Sequence, residues 1–228
     1  SMSNFVAEKS IAAVRAVDEV RDGMLVGLGT GSTAAYAVKS LSERIKHGLR
    51  ITAVATSQAT EALALRLAVP LVPFQQLSAV DLTIDGADEI DGHGCMIKGG
   101  GAALTREKIV AAQSRQFVCI ADASKKVDVL GRFPLPVEII PMASQRLIRQ
   151  FADMGGQASV RLRDGQPLVT DNGQHILDVR GLKITDPLAF ETTVSQWPGV
   201  ITVGVFARQR AQVCLLGTPE GVQTLRFG

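Results

Sequence analysis

Four loops in this 228-residue chain carry residue types and spacings that can do chemistry. The first, Gly27-Leu28-Gly29-Thr30-Gly31-Ser32-Thr33, follows an apolar run and opens a helical stretch. Its backbone N–H groups and the hydroxyls of Thr30, Ser32 and Thr33 can surround an anion at a helix N-terminus, and a phosphate is the natural guest. No lysine precedes Ser32, which argues against a nucleoside triphosphate. Read as a dinucleotide fingerprint through Gly29, Gly31 and Ala34, the loop lacks the acid that would hold a ribose, because residues 50–58 contain none. A purely structural turn is the competing reading.

The second loop, Asp85-Gly86-Ala87-Asp88-Glu89-Ile90-Asp91, begins where the run VDLTID ends. In open α/β sheets ligands bind beyond the carboxyl ends of the strands. Four acids within seven residues repel one another, which speaks against mere surface decoration. A polar loop and a divalent-cation site are the alternatives, although His93 and Cys95 are too poor a pair to close a zinc site. The third loop, Lys98-Gly99-Gly100-Gly101, leads into AALTREKIVAAQS. A cation beside a flexible run of N–H groups suits a developing oxyanion, where one well-aimed donor is worth about 3 kcal/mol. Glu107 is expected about two turns into the helix that follows. Taken alone, an acid near a helix N-terminus also serves the macrodipole. In the fourth loop, Ala121-Asp122-Ala123-Ser124-Lys125, the lysine can add charge or a hydrogen bond, and Lys126 reads as solvated.

Positioning these loops requires a particular set of elements. Apolar runs at 24–29, 51–56, 80–85 and 117–121 alternate with helix-like stretches at 33–45, 57–67 and 102–114. Uninterrupted Val/Ile/Leu runs separated by helices predict a doubly wound α/β domain whose parallel sheet is covered on both faces. An opening helix over 3–20 is expected to set Ile11, Val14 and Val17 on its apolar face. From residue 136 onward the order becomes strand 136–140, helix 144–154, strands 158–163 and 174–179, helix 187–196 and strand 200–206. That is the βαββαβ order of a ferredoxin-like α+β module. Asp171-Asn172-Gly173 is a hairpin-turn signal, and the run 212–217 is expected to rejoin the first sheet. The expected domains are therefore 1–133 with 207–228, and 134–206.

Composition narrows the partners. Lys and Arg number 24 against 22 Asp and Glu, giving a net charge of +2, so nothing directs the chain to nucleic acid or to an anionic membrane. Eight Phe, one Trp and one Tyr leave little material for stacking bases. Three cysteines without framework spacing suit a reducing compartment. The sequence contains neither a basic-then-apolar leader nor eighteen consecutive apolar residues, so a cytoplasmic location is expected.

The motifs GLGTGST, DGADEID, KGGGAALTREKI, ADASKKVDVLG and FPLPVEIIPM, in this order and at this spacing, closely resemble those of the type A ribose-5-phosphate isomerase family. The likeness runs from the first helix to GTPEGV near the C-terminus, and KGGGAALTREK and DGADEI are its most specific parts. It implies reversible interconversion of D-ribose 5-phosphate and D-ribulose 5-phosphate in the non-oxidative branch of the pentose phosphate pathway, without metal or organic cofactor. It also implies a Rossmann-like domain with a smaller ferredoxin-like lid, in a homo-oligomer, with a dimer expected. Glu107 matches the family's catalytic base. Thr30, Gly31, Ser32, Thr33, Asp85, Gly86, Ala87, Asp88, Lys98, Gly99, Gly100, Gly101 and Lys125 match its substrate-binding positions. Of these, Asp85, Asp88 and Lys98 are expected to take part in the chemistry. A sugar-phosphate sensor, an amino-sugar-phosphate isomerase or deaminase, and a nicotinamide-dependent oxidoreductase are the competing classes.

Overall fold

The computed structural model describes residues 2–228, and the counts below refer to them. The chain begins with α1 (Met2–Val17), β1 (Leu25–Leu28), α2 (Ser32–Lys46), β2 (Thr52–Ala55), α3 (Gln58–Arg66) and β3 (Leu82–Asp85). Next come β4 (Glu89–Ile90), β5 (Met96–Ile97), α4 (Leu104–Ala112), β6 (Phe117–Asp122), β7 (Leu135–Ile139) and α5 (Ser144–Asp153). They are followed by β8 (Gln157–Val160), β9 (Leu162–Arg163), β10 (Gln166–Pro167), β11 (His175–Arg180) and α6 (Pro187–Ser195). The strands β12 (Val200–Val203), β13 (Val205–Phe206), β14 (Val213–Thr218) and β15 (Gly221–Arg226) complete the order. Two compact units result. One holds the chain up to Ala87, Arg106–Lys125 and Ala211–Gly228; the other holds Asp88–Thr105 and Lys126–Arg210. By contact, residues 88–105, 126–133 and 207–210 group not with the first unit but with the second, where β5 pairs with β13 and Val127 N–H bonds to Ile90 O.

The first unit is built on a six-stranded sheet in the order β15-β14-β6-β3-β1-β2, parallel except for the β14–β15 hairpin. Alternate residues of each strand go to opposite faces. Val26, Leu28, Leu82 and Ile84 join Ala12, Ala16, Val38 and Leu41 of α1 and α2, whereas Val54 and Val80 pack with Val110 of α4. Because both faces are covered, the strands read as unbroken apolar runs. The face of α1 differs from expectation. Ile11 and Val14 are 40% and 50% exposed, and the buried stripe is Ala12, Ala13, Ala16, Val17 and Val20. The helix lies so close to β14 that a Cβ on Gly217 would overlap the Glu8 backbone, and the buried stripe is made of alanines and valines, the smaller apolar side chains.

The second unit contains a four-stranded antiparallel sheet in the order β12-β7-β11-β8, the ferredoxin-like arrangement. Leu147 and Phe151 of α5, four residues apart on one helical face, and Val194 of α6 bury against Val137, Ile139, Leu177, Val179 and Val203. Two expected strands are broken. The run 158–163 interrupts at Arg161, and 200–206 interrupts at Gly204, beyond which β13 leaves this sheet to pair with β5. Asp171-Asn172-Gly173 does form a turn, closed by Thr170 N–H to Gln174 O at 2.8 Å, but no strand leads into it. The hairpin of this region joins β9 to β10 instead.

Candidate active site

In the first unit, the Gly-rich turn is laced from several elements. Gly29 N–H donates to Ile84 O at 2.9 Å, and Thr60 Oγ1 donates to Gly29 O at 2.7 Å. Thr56 Oγ1 donates to Leu28 O at 2.8 Å and lies 2.9 Å from Thr30 Oγ1. Asp85, 1% exposed at the end of β3, accepts from Gly86 N–H at 2.7 Å and Thr30 N–H at 3.3 Å through Oδ1. Gly29 is required here because a Cβ would overlap that carboxyl. Gly31 N-caps α2 without a side-chain hydrogen bond, and no acid occupies the first turn, so Ser32 and Thr33 stand at a helix start whose N–H groups attract an anion. Lys9 brings an ammonium from α1, its Nζ 3.4 Å from Ser32 Oγ. Gly86 lies beside Thr33, and Ala87 follows it half-buried.

Glu107 belongs to the first turn of α4 rather than lying two turns in. The helix starts only at Leu104 because Ala102, at φ 64°, still belongs to the turn, its N–H bonded to Gly99 O. The Glu107 side chain is 5% exposed, so it is not a solvated acid decorating a helix start. Past β6, Asp122 Oδ1 accepts from Ser124 N–H at 2.9 Å and from its hydroxyl, shaping the turn that carries half-buried Lys125; Lys126 is exposed, as expected.

In the second unit, Asp88 Oδ2 accepts from Gly100 N–H at 2.8 Å. A Cβ on Gly100 would stand 2.6 Å from Asp88 Oδ1, so the loop reaches the carboxylate only as glycine. Lys98 is 2% exposed; its N–H donates to Gly204 O at 2.9 Å, and its ammonium lies 5.5 Å from the centre of the Phe206 ring. That ring face favours a cation removed from water. Gly101 completes the turn, exposed. The remaining acids of the loop are structural: Glu89 accepts from Gly131 and Phe133 N–H at 2.9 and 3.0 Å, and Asp91 from His93 and Cys95 N–H at 2.8 and 3.0 Å. Backbone donors, rather than mutual repulsion, therefore account for these acids. Among the described residues, no group of three or more His, Cys, Asp or Glu side chains is arranged to hold a metal ion.

Thr56, Thr60 and Lys9 escaped the sequence reading. Thr56 carried a usable signal, since it stands at the carboxyl edge of β2, as the chosen loops do at theirs. Lys9 carried none, because its nearness to Ser32 is created by packing.

Within the first unit, an anion-receptive helix start at the edge of a parallel sheet and the buried carboxyl groups of Asp85 and Glu107 define a class: an α/β protein with the means to bind a small anionic molecule. Residues 52–221 match the family described as Ribose 5-phosphate isomerase A (phosphoriboisomerase A). The chain is 66% identical over 205 residues to ribose-5-phosphate isomerase A of Sphingopyxis alaskensis, covering 90% of each. The crystal structure of ribose 5 phosphate isomerase A from Neisseria gonorrhoeae superposes with a TM-score of 0.92 at 42% identity, covering 97% of this chain and 96% of that one. A D-ribose-5-phosphate isomerase in complex with phospho-erythronic acid gives 0.94 at 39% identity, covering 97% and 99%. The chain belongs to the ribose 5-phosphate isomerase A family, whose members interconvert ribose 5-phosphate and ribulose 5-phosphate, and it is an isomerase with that activity.

Proposed function

We propose that the isomerisation runs through an enediolate, with Glu107 as the proton carrier. The Glu107 carboxylate takes the proton from C2 of the open-chain aldose, and its carboxylic acid returns it to C1, on one face of the enediolate. Its burial in the first turn of α4, directly after the Lys98–Gly101 run, is the observation that carries this reading. A positioned general base contributes about 10² to 10⁴-fold. Asp85 and Asp88 orient the sugar hydroxyls, assist ring opening and pass the proton from O2 to O1. Lys98 and the N–H groups of Gly99 and Gly101 stabilise the enediolate oxygen, where charge develops, while the Gly100 N–H holds Asp88 in place. The 5-phosphate sits at Thr30, Gly31, Ser32 and Thr33, with Lys9 as counter-charge; Gly86, Ala87 and Lys125 complete the substrate contacts. Phospho-erythronic acid, named in the related complex, supports this assignment: its planar carboxylate next to a hydroxyl-bearing carbon resembles the enediolate.

The test is Glu107→Gln, assayed by ketose formation from ribose 5-phosphate with and without EDTA. Turnover should fall at least a hundredfold while substrate binding persists, and retained activity within tenfold of wild type would sink the assignment. We further propose that the enzyme acts in the cytoplasm, in the non-oxidative branch of the pentose phosphate pathway, as a homodimer. Exposed apolar side chains such as Met142 and Leu162 support self-association, which sedimentation equilibrium tests directly. Among the described residues, no helix is long and apolar enough to cross a membrane.

A further inference from the structure

Arg161 interrupts the second unit's outer strand, between β8 and β9. Its Nε and Nη2 fork the Asp178 carboxylate at 2.9 and 2.7 Å, with both side chains largely buried. The remaining terminal nitrogen, Nη1, donates to the carbonyls of both Gly99 and Gly100, at 3.0 and 3.1 Å. This geometry has a consequence on the opposite side of each peptide. A trans peptide is planar, so holding its C=O fixes the direction of the N–H of the next residue. Anchoring Gly99 O therefore aims the Gly100 N–H, which bonds Asp88 Oδ2, and anchoring Gly100 O aims the Gly101 N–H. Three successive glycines have no side chains with which to set those planes themselves, and their backbone freedom is the largest of any residue.

Asp178 is suited to the task by register. It pairs with Pro136 on β7 and with Ser159 on β8, and Arg161 stands two residues beyond Ser159, on the same face of the sheet. Pro136 lies directly against Gly99, which places the loop over that face. Only a guanidinium has enough donors in a fixed plane to grip a carboxylate with two and hold a carbonyl pair with a third.

We propose that Arg161, oriented by Asp178, is a positioning residue for the isomerisation: it presets the Gly100 and Gly101 N–H donors and, through Gly100, the Asp88 carboxylate. The inference rests on the site roles given under Proposed function. Donors aimed at an oxygen contribute most when charge has developed on it, so their loss lowers turnover more than substrate binding.

The experiment compares wild type, Arg161→Met, Arg161→Lys, Asp178→Asn and Glu107→Gln for kcat and KM on ribose 5-phosphate, affinity for phospho-erythronic acid, and melting temperature. Arg161→Met should lower kcat ten- to a hundredfold with KM within threefold, and should weaken phospho-erythronic acid binding in proportion to kcat/KM. Arg161→Lys should not rescue, staying at least fivefold below wild type. Asp178→Asn should lower kcat three- to tenfold with KM unchanged, and it carries the test if Arg161→Met does not fold. A folded Arg161→Met enzyme with kcat within twofold of wild type overturns the proposal, as does full rescue by lysine. In the event that only Asp178→Asn folds, an unchanged kcat overturns it. Glu107→Gln separates the two levels: if it stays active, the underlying site reading fails, whereas if it is inactive and Arg161→Met is normal, only the role of Arg161 fails.

Discussion

Glu138→Gln should destabilise the protein by about 2 kcal/mol, a figure that follows from the partners of one buried carboxylate. Glu138 lies on β7 with no exposed surface. Its Oε1 accepts from Thr105 Oγ1 at 2.9 Å; its Oε2 accepts from Thr170 Oγ1 at 3.1 Å and Asn172 Nδ2 at 3.0 Å. A carboxamide keeps the shape but has one accepting oxygen. If that oxygen stays with Thr170 and Asn172, the new NH₂ faces Thr105, whose hydroxyl is also 2.7 Å from Thr202 Oγ1. One hydrogen bond to a charged group, worth roughly 1.5–3 kcal/mol, is then lost, and two others weaken. The lower cost of burying a neutral amide offsets part of this. For a chain of this size each kcal/mol is about 2–4 °C, so scanning calorimetry should show the transition about 4–8 °C lower. Glu138→Leu leaves three donors facing an apolar group and should cost more, about 3–5 kcal/mol. Since Thr105 is in the first turn of α4, two residues before Glu107, turnover by the glutamine variant should also fall severalfold. A transition within 1 °C of wild type would refute the reasoning.

Three other outcomes are expected. Gly100→Ala sets a Cβ 2.6 Å from Asp88 Oδ1 at an exposed position, so kcat should drop at least tenfold while urea denaturation stays nearly unchanged; normal steady-state kinetics would contradict the contact. Lys9→Met removes the ammonium 3.4 Å from Ser32 Oγ, and KM for ribose 5-phosphate should rise about tenfold, as expected for one charged hydrogen bond to a phosphate, whereas an unchanged KM would remove Lys9 from the phosphate site. The Cys95 thiol is pushed up from 9.0 to about 11, first by burial and then by Asp91 and Glu191, against the opposing pull of Arg210. At pH 8 only about one thiol in a thousand is ionised, and the thiolate fraction grows as pH rises toward 11. Iodoacetamide should therefore leave Cys95 unmodified for hours at pH 8 by mass spectrometry, and labelling within minutes would contradict this.

Local sequence exposed what depends on alternation and turn chemistry. The strands of the parallel sheet were legible because burial on both faces keeps them predominantly apolar, Phe117–Ala121 without a break and Leu82–Ile84 broken only by the buried Thr83. The loops at their ends followed from the same rhythm. Features made by tertiary contact were not legible. Ile11 and Val14 have helical apolar spacing, yet they face outward, because α1 turns the neighbouring stripe of Ala12, Ala13, Ala16 and Val17 to the sheet and no local signal separates the two stripes. Strands of two residues, such as Glu89–Ile90 and Met96–Ile97, are too short to show any period. The TDNG stretch looked like a hairpin turn; Thr170 and Asn172 instead supply donors to Glu138. Arg161 lies inside the expected strand 158–163, and nothing in its neighbours announces the carbonyls of Gly99 and Gly100 about sixty residues away.

The connectivity of the first unit bears on how the protein is made. Its sheet places β14 between β6 and β15, and α1 rests on β14 at Gly217. α1 therefore waits for a hairpin translated almost two hundred residues after it. Until residues 213–226 emerge, β6 is an open edge with unpaired N–H and C=O groups, beside the apolar floor meant for Ala12, Ala16 and Val17. The first unit thus cannot finish folding on the ribosome ahead of the second, and the nascent chain exposes an aggregation-prone edge from the time β6 emerges until β14 follows about ninety residues later.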